Sequence, residues 1–112
     1  MDRLPEHFPE YFPDLTGFQW DAGNSEKNWL VHEVSQAEVE QAFYNRPVLV
    51  SPDSGHSPVA ARHYVLGRSN AGRTLAIAFT VRRTLVRPTM ARDTSRRERR
   101  LYVEHAHAEE AP

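Results

Sequence analysis

The strongest constraint on this chain is a block of β-forming sequence in its second half. Three runs rich in β-branched and aromatic residues, Arg62–Arg68, Thr74–Val81 and Leu85–Arg92, are separated by Asn70-Ala71-Gly72 and by Arg82-Arg83. Gaps that short suit hairpins, so the runs should pair antiparallel in chain order. The middle run, Leu75-Ala76-Ile77-Ala78-Phe79, is apolar throughout, the pattern of a central strand covered on both faces. Pro88 removes a ladder donor from the third run and points to an edge or a bulge there.

Helical signals flank this block. Phe18-Gln19-Trp20 alternates like a short strand, and Asp21 or Asn24 is placed to cap a helix reaching about His32. Ser35-Gln36-Ala37-Glu38 is a capping box, with Val34 and Val39 as its hydrophobic staple. The helix it opens carries Val39, Ala42 and Phe43 and must stop before Pro47. Val48-Leu49-Val50 reads as a strand and Ser51–Gly55 as a turn. A second capping box, Ser95-Arg96-Arg97-Glu98, opens a last helix with Leu101, Tyr102 and His105 on one face. The expected fold is α+β: a four-stranded antiparallel meander with N-terminal helices and a C-terminal helix packed on one face of the sheet.

The chain's 112 residues suit one domain. Residues 1–16 form an acidic N-terminal segment with a proline at every fourth position (Leu4-Pro5-Glu6-His7, Phe8-Pro9-Glu10-Tyr11, Phe12-Pro13-Asp14-Leu15), which favours an extended conformation. Residues 17–106 make up the domain, and 107–112 a disordered tail. There is no cysteine, which excludes disulfides, thiol catalysis and thiolate metal sites. No run is long and apolar enough to span a membrane and no secretory signal is recognisable, so a cytoplasmic location without membrane contact is expected.

Charge is divided unevenly. Residues 1–61 hold three basic residues against ten carboxylates, whereas 62–112 hold eleven arginines against five carboxylates. Such a split points to a polyanion or an acidic partner on one side. Lys27 is the single lysine among the fourteen basic residues, and guanidinium forks grip phosphate at two points where an ammonium cannot. Six histidines are scattered, with no H-E-x-x-H spacing, so neither a metal nor a cofactor is expected. Glycine-rich phosphate loops and a G-x-S-x-G elbow are absent.

An arginine-lined sheet with a histidine and a lysine nearby fits RNA cleavage. The ribose 2′-hydroxyl attacks the adjacent phosphate, so the protein need only move protons and neutralise the phosphorane. His32, Arg68 and Arg92 are the candidate catalytic residues; Lys27, Arg73, Arg87 and His56 are the candidate RNA contacts. Each has a plainer reading. His32 at a helix end suits capping of backbone carbonyls, and the arginines suit ion pairs with the many carboxylates.

From Phe18 to Tyr102 the sequence resembles the BrnT-like ribonuclease toxins of type II toxin–antitoxin modules. The resemblance rests on Phe18-x-Trp20-Asp21, Lys27-Asn28-Trp29, His32-x-Val34-Ser35, Glu38-x-Glu40-x-x-Phe43 and Asn45-x-Pro47. It continues through Asp53, His56-Ser57, Gly67-Arg68-Ser69, Gly72-Arg73 and Ala78-Phe79-Thr80-Val81-Arg82. Val86-Arg87-Pro88, Ala91-Arg92-Asp93, Arg96-x-Glu98-Arg99-Arg100 and Tyr102 complete it. It implies a compact RelE-like fold and a metal-independent endoribonuclease that inhibits translation. It also implies a BrnA-like antitoxin that neutralises the toxin, reaches operator DNA through its own DNA-binding part, and forms a dimer or hetero-tetramer with it.

Two positions depart from the family. Its usual Lys-His-Gly-Val reads Val31-His32-Glu33-Val34 here. A helix-ending glycine would supply a left-handed cap, so Glu33 costs roughly 1 kcal/mol or forces another turn. Two alternatives therefore stand beside the toxin: a weakened or inactive antitoxin-binding regulatory module, and a non-toxic RNA-binding domain.

Overall fold

The computed structural model describes residues 16–21, 23–24, 32–52 and 62–110, with backbone alone for 51–52 and 108–110. Its described elements are β1 (Gly17–Phe18), α1 (Gln36–Tyr44), β2 (Leu49–Pro52), β3 (Arg62–Arg68), β4 (Thr74–Arg82), β5 (Leu85–Asp93) and α2 (Arg96–Glu110). The fold is α+β, with one five-stranded mixed sheet in the order β1-β5-β4-β3-β2. β2 to β5 are the expected antiparallel meander. β1 pairs with β5 in parallel, so β5 is not an edge. Pro88 instead sits beside a register shift opposite Ala78 and Phe79, the bulge that its missing donor calls for.

Local chemistry explains the element ends. The Ser35 side chain accepts the Glu38 N–H while the Glu38 carboxylate accepts the Ser35 N–H, closing the first capping box. Ser95 and Glu98 close the second in the same way. α1 ends at Asn45, two residues before Pro47. β4 extends through Arg82, so the tight turn falls on Arg83 and Thr84, with Arg83 at φ 58°. Gly72, at φ 88°, turns the chain between β3 and β4. Gly23, Asn24 and His32 have helical backbone; the residues between them lie outside the described ones.

The core lies between α1 and one face of the sheet. Val39, Ala42 and Phe43 pack against Val65, Leu75, Ile77, Phe79, Val86 and Ala91. Phe43 bridges Phe18 and Phe79 with edge-on ring contacts at 5.2 and 5.3 Å. Gly67 lies under the helix, and a Cβ there would run into the Ala42 carbonyl. β4 is buried from Leu75 to Phe79, as its unbroken apolar run foretells.

The expectation of helices on one face needs correction. α1 covers the face carrying Val65 and Gly67, whereas α2 meets residues of the other. Its Glu98 binds Arg92, and Tyr102 and Val103 border Arg68 and Thr74. The inward stripe of α2 is Glu98, Tyr102 and Ala106; Leu101 and His105, expected beside Tyr102, are exposed. Tyr102 is pinned by its hydroxyl, which donates to the Pro47 carbonyl at 2.9 Å in a buried setting. α2 continues to Glu110, into the segment 107–112 read from sequence as a tail.

Candidate functional site

Side chains paired directly across a ladder point to the same face. Arg62 and Arg87 both pair with Thr80, Arg68 pairs with Thr74, and Arg92 pairs with Ala76. Those β4 partners alternate by two, so all four arginines share the sheet face opposite α1. Arg87 and Arg92 are an odd number of residues apart and would part company on a regular strand. The bulge between them restores the shared face. Tyr64 lies on that face too, with the Arg62 guanidinium 5.9 Å above its ring.

Three of the candidate arginines are held by carboxylates. Arg87 donates to Asp21 at 2.7 Å, and Asp21 and Asn24 are locked together because the backbone N–H of each donates to the side-chain oxygen of the other. The Arg87 guanidinium beside it holds the Asp21 carboxyl below its ordinary range. Arg92 grips both oxygens of Glu98, at 2.8 and 3.0 Å, and also donates to the Asp93 carbonyl. Arg92 is the main reason that the Glu98 carboxyl falls to about 2. Arg73 engages Asp93 through Nε and NH2, and the pairing raises the guanidinium and lowers the carboxyl. Burial alone would raise Glu38, but the Ser35 N–H and Arg73 together pull it below the usual carboxylate range.

Arg68 differs. Among the described residues its side chain has no hydrogen-bond or ion-pair partner. It lines two open cavities of about 320 and 380 Å³, one shared with Thr74, Tyr102 and Val103, the other with Asn45 and Asn70.

His32 sits elsewhere. The described contact of His32 is with Arg73, whose NH2 donates to its carbonyl at 3.1 Å, and not with Arg68, Arg87 or Arg92. The Asp93 carboxyl is held below its ordinary range chiefly by Arg73, with smaller contributions from Arg99 and from His32 nearby. Glu33, next in the chain, has φ 55°, the left-handed conformation that a glycine would hold without strain. Lys27 and His56 lie outside the described residues. Among the described residues no three His, Cys, Asp or Glu side chains gather as a metal site.

Sequence reasoning missed two features of this region. Arg62 joins the basic face, which its even spacing from Arg68 on one strand would have revealed. The carboxylate partners were not assignable, because Asp21 and Asp93 lie 66 and 20 residues from the arginines they bind.

A small α+β protein with an arginine-lined sheet face, partly neutralised from within, belongs to the class equipped to handle polyanions. Residues 20–98 match the family model described as ribonuclease toxin, BrnT, of type II toxin–antitoxin system. The match spans most of the chain, and the chain belongs to that family of ribonuclease toxins. RNA as target and an antitoxin as partner follow from membership. Comparison with curated proteins gave no match. Among the described residues no helix is long and apolar enough to cross a membrane.

Proposed function

We propose that this chain is a metal-independent endoribonuclease that inhibits translation in the cytoplasm and is neutralised by a BrnA-like antitoxin. The antitoxin would cover the basic face and carry the pair, as a dimer or hetero-tetramer, to operator DNA. The observation that carries the nuclease reading is Arg68, uncommitted in an open cavity and on the same face as Arg62, Arg87 and Arg92.

In this reading Arg68 holds the non-bridging oxygens of the scissile phosphate and neutralises charge as the phosphorane forms. The Arg87–Asp21 pair is exposed on its acidic side, where solvent screens the attraction, so a phosphodiester displaces Asp21 readily. Arg92 stays on Glu98 and adds charge from a fixed position. His32 moves the proton between the 2′-hydroxyl and the leaving 5′-oxygen. Both groups act on one phosphodiester, so this reading requires the His32 ring to come within hydrogen-bond reach of the phosphate that Arg68 holds, although the described contact of His32 is with Arg73. Lys27 and His56 supply further phosphate contacts.

A second reading, a catalytically weakened module that binds antitoxin, draws on the internal pairing of Arg73, Arg87 and Arg92 and on the charge of Glu33. Induced expression separates the two. Growth arrest that is relieved by His32→Ala and by co-expressed antitoxin supports the nuclease; harmless expression with tight antitoxin binding supports the module.

A further inference from the structure

Arg73 has five N–H groups, the full donor set of a guanidinium. Nε donates to Asp93 Oδ1 at 2.7 Å and NH2 donates to Asp93 Oδ2 at 3.1 Å. The second NH2 hydrogen reaches the His32 carbonyl at 3.1 Å. NH1 donates to the Glu33 carbonyl at 2.8 Å and to the Glu38 carboxylate at 3.2 Å. Five donors meet five acceptors, all of them from the protein, and none is left for a phosphate.

The acceptors come from three places: the end of β5, the capping box of α1, and the two carbonyls of the His32–Glu33 turn. That turn is the left-handed one, where Glu33 takes a conformation that side chains disfavour. A guanidinium bound to both carbonyls fixes the peptide planes on either side of the Glu33 α-carbon, and with them the direction in which the His32 Cα–Cβ bond leaves the backbone.

We infer that Arg73 is a positioning residue for the nuclease centre: it fixes the His32–Glu33 turn against Asp93 and Glu38, aims the His32 imidazole, and makes no contact with RNA. The inference rests on the reading of His32 above. It also separates Arg73 from Arg68, which has the opposite profile of an open surround and uncommitted donors.

The test is kinetic and spectroscopic, on the full chain with a defined oligoribonucleotide. Arg73→Lys should lower kcat by about 10–100-fold, as a displaced catalytic group does, with KM nearly unchanged. A raised KM with kcat retained would mark Arg73 as an RNA contact and overturn the inference. Arg73→Gln combined with Glu33→Gly guards against simple unfolding, since glycine holds the left-handed turn unaided. Expected is a recovered melting temperature with kcat still low; full recovery of kcat would show that Arg73 served folding alone.

His32→Ala distinguishes the two layers. Retained cleavage in that variant removes His32 from the mechanism, whereas lost cleavage together with wild-type kinetics in Arg73→Lys removes only the positioning role. The His32 ring resonances give a readout independent of activity. They should move in Arg73→Gln and stay in place in Arg87→Gln; unmoved resonances in both would overturn the inference.

Discussion

Arg92 and Glu98 are joined by two hydrogen bonds, at 2.8 and 3.0 Å, while the same carboxylate accepts the Ser95 N–H at 2.7 Å. Glu98 is thus both the cap of α2 and its tether to β5. Glu38 plays the corresponding part for α1, capping Ser35 and receiving Arg73. Each helix start is moored to the sheet by one arginine on one capping-box glutamate.

Glu98→Gln should therefore destabilise the fold by about 1–2 kcal/mol, the value of charge-assisted bonds at a partly buried site. The pH dependence has a definite sign. A carboxyl held down to about 2 in the folded chain, against an ordinary 4.5, adds stability above the ordinary value and loses it as pH falls from there toward 2. Urea denaturation across that window should show wild type approaching the Glu98→Gln variant as acid is added. A constant gap would contradict the tether.

Glu33→Gly should stabilise the protein by about 0.5–1 kcal/mol, because glycine takes φ 55° without the strain that a Cβ brings. Thermal melting checks it, and a lowered melting temperature would mean that the Glu33 side chain contributes more than its backbone loses.

Gly67→Ala should cost about 1–3 kcal/mol, since the new methyl meets the Ala42 carbonyl and must push α1 off β3. Gly72→Ala meets nothing within 4 Å, and any cost there comes from its φ of 88° alone. Comparing the two by chemical denaturation separates crowding from backbone strain.

Tyr102→Phe should cost about 1–2 kcal/mol by leaving the buried Pro47 carbonyl without its donor. Denaturation measures the loss, and an unchanged stability would show that α2 is held by its first turn alone.

Much of the architecture was readable because it is local. Both capping boxes, the stop before Pro47, the hairpin spacings and the apolar run of β4 are patterns within ten residues, and each is found where the pattern places it except the β4–β5 turn, which falls one residue later, on Arg83 and Thr84. The side of the sheet that α2 meets was not readable, because Tyr102 finds its partner at Pro47, 55 residues away. The site was less legible still. Sequence reads Arg68 and Arg92 as catalytic and Arg73 and Arg87 as RNA contacts, whereas carboxylates engage Arg73, Arg87 and Arg92, two of them from 20 and 66 residues away, and leave Arg68 open. The odd spacing of Arg87 and Arg92 argues against a shared face until the bulge between them is known.

The most direct test of the nuclease reading is cleavage of a defined RNA by the purified chain in excess EDTA, with Arg68→Ala run beside wild type. Wild type should cut with the chelator present, and the variant should be slower by about 100–1,000-fold, the loss typical of a transition-state charge contact, at an unchanged melting temperature. Intact RNA with wild type, or equal rates for the two proteins, would contradict it.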